Sequence, residues 1–166
     1  MQLNKALLAS VLHEVYAAGE YLMTLLRQDK ALSVQVKPDS TPVTQADEQL
    51  DHWMQRRWSS CFPDIPIISE ETPTPDFSIR QHWEWFWCID PIDGTKNFAS
   101  GSHQFGTLIS LLMDGAPILG IINQPVLGER WFGLVGETTT FNGQPIKTRA
   151  CSTLADAWMY STNPAM

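Results

Sequence analysis

The sequence predicts an α+β fold in which two long helices pack on a mostly antiparallel meander sheet. Apolar residues recur at helical spacing through the first 60 or so positions, and from Trp83 onward they alternate or cluster in short runs. Turn pairs such as Asp114-Gly115 and Asn142-Gly143 separate those runs and fold neighbouring strands back on one another. With 166 residues, 43% of them hydrophobic, one globular domain can bury about 70% of its unfolded surface.

The first helix is expected from about Asn4 to Arg27. Leu7, Val11 and Val15 repeat every four residues, with Leu8, Leu12, Leu22, Leu25 and Leu26 beside them. His13 and Glu14 are adjacent in that helix and read as solvated surface, because neighbouring helical positions point different ways. Leu32 to Lys37 alternates apolar and polar residues as an extended segment, and Pro38 to Pro42 is a loop. Thr44 then precedes the spacing Ala46, Leu50, Trp53, Met54, Arg57 and Trp58, with Asp47 three residues on. That is a second helix opening on a weak capping box, since Asp is shorter than the usual Glu. Asp47 is either a first-turn acid favoured by the helix dipole or an acid placed behind a functional site. Phe62-Pro63-Asp64 breaks the helix, Ile65 to Ser69 is a short strand ending in Glu70-Glu71, and Thr72 to His82 is a polar, irregular flap.

The central stretch runs from Trp87 to Thr95, Trp-Cys-Ile-Asp-Pro-Ile-Asp-Gly-Thr. It reads as a buried strand that delivers Asp90 at its end. Pairing is expected to stop at Pro91, which has no N–H to donate. Gly94 leaves room for a close backbone approach, and Lys96 to Ala99 start a helical turn. The alternation from Trp83 to Asp90 becomes apolar on both faces toward the end, so both faces should be covered near the site. Phe105 to Met113, Ile118 to Gln124 and Arg130 to Val135 form the meander, and Thr138 to Phe141 with Pro145 to Thr148 form a hairpin around Asn142-Gly143. Trp158 to Ser161 is a further candidate strand.

A formal charge of −7 argues against nucleic-acid or anionic-membrane surfaces, which require basic patches. Cys61, Cys88 and Cys151 form no Cys-x-x-Cys and read as buried thiols of a reduced compartment. The amino terminus lacks a signal-peptide apolar stretch, and no run approaches the ~18 apolar residues of a membrane span. The expected setting is cytoplasmic.

Two acids on a bend beside backbone N–H groups that face open space favour an anion with a cation between. Mg²⁺ takes oxygen ligands, commonly one or two carboxylates plus a substrate phosphate. An EF-hand loop does not fit, because Ile92 stands where that pattern needs an acidic or amide residue. The strand ending in Asp90-Pro-Ile-Asp-Gly-Thr95 resembles the signature of the inositol monophosphatase superfamily, the Mg²⁺-dependent, lithium-sensitive phosphomonoesterases. Haloacid-dehalogenase phosphatases also end a strand in Asp-Gly-Thr, but the position of their nucleophilic aspartate is Pro91 here, which leaves water as the nucleophile. The Glu70-Glu71 pair, Lys37 and Thr44-Gln-Ala-Asp47 are similar to the same superfamily. Phe105-Gly-Thr-Leu-Ile109, Pro117-Ile-Leu-Gly-Ile-Ile122, Gln124-Pro-Val-Leu127, Glu129-Arg-Trp131 and Tyr160-Ser-Thr162 look most like its histidinol-phosphatase branch, which belongs to histidine biosynthesis.

The resemblance implies a layered αβαβα fold of which residues 1–166 are the N-terminal, metal-binding domain, while a C-terminal α/β domain with a further aspartate lies outside this sequence. It implies two or three Mg²⁺ ions. Glu70, Asp90 and the Ile92 carbonyl would hold one, and Asp90 with Asp93 a second. Asp93, Gly94 and Thr95 would bind the substrate phosphate, Glu70 and Thr95 would orient the attacking water, and Asp47 and Lys37 would stand behind them. The implied substrate is a small phosphate ester. Histidinol phosphate leads, with inositol 1-phosphate and 3′(2′),5′-bisphosphate nucleotides as alternatives. A homodimer is implied as well. A different class of function stays open, in which the chain is a non-catalytic metal- or partner-binding domain.

Overall fold

The structure is a computed structural model that describes residues 4–27, 34–36 and 42–158. Helix α1 (Lys5–Leu26) begins at Asn4, whose side chain accepts from Leu7 N at 2.9 Å and so satisfies one of the helix's unpaired N–H groups. Strand β1 (Val34–Val36) pairs antiparallel with β2 (Pro42–Thr44). Helix α2 (Gln45–Cys61) opens on the expected capping box between Thr44 and Asp47. Then follow β3 (Ile67–Ser69), α3 (Phe77–Arg80), β4 (Trp85–Asp93), α4 (Thr95–Ala99), β5 (Gly106–Met113), β6 (Ala116–Gln124), β7 (Glu129–Leu134), β8 (Thr140–Phe141), β9 (Gln144–Pro145) and a 3₁₀ turn at Leu154–Asp156.

Strands β3 to β9 form one seven-stranded sheet in sequence order. Every neighbouring pair is antiparallel except β3 and β4, which run parallel. The parallel pair needs a crossover, and residues 70–84, which contain α3, provide it. Asn142 and Gly143 both have positive φ, 48° and 78°, as a tight hairpin between β8 and β9 requires.

Both long helices cover one sheet face. Val11, Val15, Ala18 and Leu22 of α1 and Leu50, Met54 and Trp58 of α2 are fully buried, and they meet Trp87, Leu111, Leu119 and Ile121 from the sheet. Trp58 and Trp87 stand edge to face at 6.3 Å; truncating either to Ala would cost about 3–5 kcal/mol.

Several expectations change. Glu14 is 3% exposed rather than solvated, because Arg57 of α2 reaches it with Nε and with Nη2, the latter at 2.9 Å. Cys61 and Cys151 are exposed and Cys88 is half-buried, so the cysteines are not buried thiols: positions 61 and 151 lie outside the core, at a helix end and in a loop. The 72–82 flap contains a helical turn, α3, capped by Asp76 through Ser78 N at 2.8 Å. Strand β4 continues past Pro91 to Asp93, and the sheet face opposite the helices is open beside the site. Lys37 and residues 160–162 lie outside the described residues.

Candidate active site

The parallel pairing of β3 and β4 sets Ser69 opposite Ile89, so the two strands arrive together and Glu70 falls beside Asp90. Glu70 N donates to Ile89 O at 3.1 Å, which ties the backbone of one acid to the strand carrying the other. Asp90 is pushed up to about 8, first by burial, then by the charge and hydrogen bond of Glu70, and then by the charges of Asp93 and Glu71. Its Oδ1 is buried and has no hydrogen-bond partner among the described residues.

The backbone after Asp90 explains how Asp93 joins this side. In a regular strand, residues three apart point to opposite faces. Here Asp90 pairs with Leu108 and Asp93 with Gly106, so Pro91 and Ile92 together oppose Thr107. This is a β-bulge of two residues against one, and the extra residue returns Asp93 to the face of Asp90. Pro91 suits the bulge because it has no N–H to leave unpaired, and Thr107 Oγ1 donates to Pro91 O at 2.8 Å. The expected end of pairing at Pro91 is therefore an interruption that the ladder survives.

Gly94 follows with φ 89° and ψ 36°. A Cβ there would lie 2.8 Å from Gln104 O, so conformation and space both demand glycine. The next residue, Thr95, opens α4, and its Oγ1 lies 3.2 Å from both Asp47 Oδ1 and Ile92 O. A hydroxyl has one proton, so it donates to one of them at a time. Asp47 is fully buried, and its other oxygen accepts from Thr44 N at 2.8 Å and from Thr44 Oγ1. Burial raises the Asp47 carboxyl above its ordinary range, against the hydrogen bonds from Thr44 and Thr95. The Asp47 carboxyl thus faces two ways: Oδ2 caps α2 and Oδ1 faces Thr95.

Glu70 and Asp90 border a hollow of about 740 Å³ on the open sheet face, with Thr74, Cys88, Ser110 and Trp131 also in its wall. Among the described residues no three His, Cys, Asp or Glu side chains converge as metal ligands. The candidate donors are the Glu70–Asp90 pair, with Asp93 exposed nearby and acting on Asp90 by charge. A carboxyl pair with one buried, unpartnered oxygen fits a hard cation, and Mg²⁺ ordinarily takes only one or two protein carboxylates, the rest coming from substrate and water.

One buried acid at this end of α2 was not singled out from the sequence. Asp51, one turn beyond Asp47, is 1% exposed and receives Ser69 Oγ. The i, i+4 spacing of the two acids was a signal for it, since such positions share a helix face.

The model of the inositol monophosphatase family matches residues 5–164. The chain is 40% identical over 148 residues to a bifunctional phosphatase, IMPL2 of Arabidopsis thaliana, covering 89% of this chain and 42% of that protein. It is 34% identical over 134 residues to the 3′(2′),5′-bisphosphate nucleotidase CysQ of Haemophilus influenzae, covering 81% of this chain and 49% of that one. The chain therefore spans less than half the length of either relative. Among solved structures, an inositol monophosphatase from Zymomonas mobilis superposes with a TM-score of 0.67 at 36% identity, over 87% of this chain and 53% of that one. An IMPase from Thermotoga maritima gives 0.74 at 28%, over 86% and 53%.

Proposed function

Because this chain belongs to the inositol monophosphatase family, we propose that it forms the metal-binding part of a Mg²⁺-dependent phosphomonoesterase. The observation that carries the reading is the buried, unpartnered Asp90 Oδ1 set against Glu70. Glu70 and Asp90, with the Ile92 carbonyl, would hold one ion, and Asp90 with Asp93 a second. Bound Mg²⁺ supplies the positive charge that offsets phosphate and makes water easier to deprotonate.

The chain's own groups do the rest. Gly94 and Thr95 offer backbone N–H groups to phosphate oxygens, a contact that a Cβ at position 94 would disturb by displacing the loop. Thr95 Oγ1, when its proton points to Asp47 Oδ1, turns a lone pair outward to accept from the attacking water. The Glu70 carboxylate takes the second hydrogen bond of that water. In-line attack forms the new P–O bond as the ester P–O bond breaks, giving phosphate and an alcohol.

The substrate class is a small phosphate monoester. The nucleotidase relative from Haemophilus influenzae favours a 3′(2′),5′-bisphosphate nucleotide, and the branch-like segments from Phe105 to Trp131 favour histidinol phosphate; inositol 1-phosphate is third. Phosphate release measured side by side on the three decides among them. Chelator and Asp90→Asn should each abolish release, and activity that survives either removes the metal reading.

A second reading has its own observation. Ile122 is 47% exposed, and it lines the open hollow with Leu108 and Trp131, an apolar patch of the kind that marks an interface. On this reading residues 1–166 are a metal-binding N-terminal domain whose sheet face is completed by another polypeptide segment, by a further domain or in a homodimer. Among the described residues no helix is long and apolar enough to cross a membrane. Mg²⁺ binding without turnover by these 166 residues supports the binding-domain reading, and robust turnover rejects it.

A further inference from the structure

The proposed chemistry makes no use of a buried hydrogen-bonded pair directly behind Glu70. Asp51 on α2 is 1% exposed, and Ser69, the last residue of β3, is 2% exposed. Ser69 Oγ donates to Asp51 Oδ1, and Gln55 Nε2 donates to Asp51 Oδ2 at 2.7 Å. Both donors are neutral. Burying a carboxyl among neutral donors is a costly way to join a helix to a strand, and an apolar pair of similar volume would do so with less penalty.

What the apolar pair could not do is direct the chain that follows. Ser69 Oγ also accepts from Glu71 N, at 3.4 Å, while Glu70 N is held on Ile89 O. Glu70 is therefore bracketed. The residue before it is anchored to α2, its own N–H to β4, and the N–H after it to the same Ser69 hydroxyl. Asp47, one turn earlier on the same helix, holds Thr95 on the other side of the site.

We propose that Asp51 is a positioning residue for Glu70: acting through the Ser69 hydroxyl, it fixes how β3 ends and so holds the Glu70 carboxyl beside Asp90. The proposal rests on the reading of Glu70 and Asp90 as a cation site.

Calorimetric titration of Mg²⁺ into the 166-residue chain tests it, with thermal unfolding run beside each variant. Ser69→Ala should weaken Mg²⁺ binding by about 10-fold or more, the usual scale for losing a group that orients a metal ligand, while Ser69→Thr, which keeps the hydroxyl, should stay near the parent. Asp51→Asn should also weaken binding, and combining it with Ser69→Ala should add little, because the two act in one chain. A role in packing alone predicts lower unfolding temperature at unchanged affinity, and that result overturns the proposal. If the parent chain binds no Mg²⁺, the cation reading itself fails and the proposal falls with it; if the parent binds and Ser69→Ala binds equally well, only the proposal fails.

Discussion

Glu14 and Asp90 are two acids that this fold withdraws from water, and their surroundings are opposite. Glu14, between α1 and α2, is gripped by Arg57 at two points, and that hydrogen-bonded pairing, opposed by burial, holds its carboxyl below the usual range. Asp90, at the bulge of β4, faces Glu70, and burial together with that neighbouring acid pushes it up to about 8. The fold gives the first acid a cation and the second another acid. Glu14 is thus a finished electrostatic unit that joins two helices. On the proposed function, Asp90 is completed by a cation. Burial is common to both sites, so what separates them is the neighbour, a guanidinium for Glu14 and a second acid for Asp90.

Substitutions should separate the two sites along that line. Near Asp90 the largest effect is on rate. On the proposed function, Thr95→Ala should lower the kcat of phosphate release by roughly 10²-fold, the scale of positioning a proton-transfer group, with Mg²⁺ affinity nearly unchanged and Thr95→Ser restoring most of the loss. A kcat close to the parent would leave Glu70 as the sole protein group acting on water. Near Glu14 the effect is on stability instead. Arg57→Met should cost about 1–3 kcal/mol in urea unfolding, less than the 3–5 of a fully buried pair because the Arg57 side chain is 42% exposed. Mg²⁺ binding should not change, and a variant that loses metal affinity would erase the distinction between the two sites.

The smallest of these effects is in pH. A carboxyl whose folded pKa is lowered contributes stability that is fully present above its unfolded value, about 4.3 for Glu, and lost as pH falls through the folded value below it. The parent chain should therefore show a Glu14-dependent loss of stability on the acid side of about pH 4.3 that Arg57→Met lacks. Equal acid slopes in parent and variant would show that the pairing contributes nothing in solution.

How much of this was legible in the sequence follows the range of the interactions involved. Both long helices, the Thr44–Asp47 cap, the meander and the Asn142-Gly143 hairpin are set by neighbours within a few positions, and local patterning finds them. Glu14 reads as surface from the sequence because its partner is 43 positions away, and helical periodicity carries no information on such a contact. The bulge was invisible for a similar reason. Pro91 announces an irregularity, but the pairing that resumes at Asp93 depends on Gly106 across the sheet, and that pairing turns Asp93 toward Asp90. Resemblance supplied the acids as a set; only the register shows how three residues of spacing place two of them on one side. Asp51 had a readable signal in its spacing from Asp47, yet its partner Ser69 is 18 positions on.

The proposal that Glu70 and Asp90 take up a divalent cation, whereas Glu14 does not, sets the two sites apart. It is tested most directly by unfolding the 166-residue chain with and without Mg²⁺. A cation that binds only the folded state stabilises it by about 2.7 kcal/mol at 100 times its dissociation constant. The parent and Arg57→Met should both gain that increment, and Asp90→Asn should gain none. An increment that survives in Asp90→Asn, or that is absent from the parent, would contradict the account.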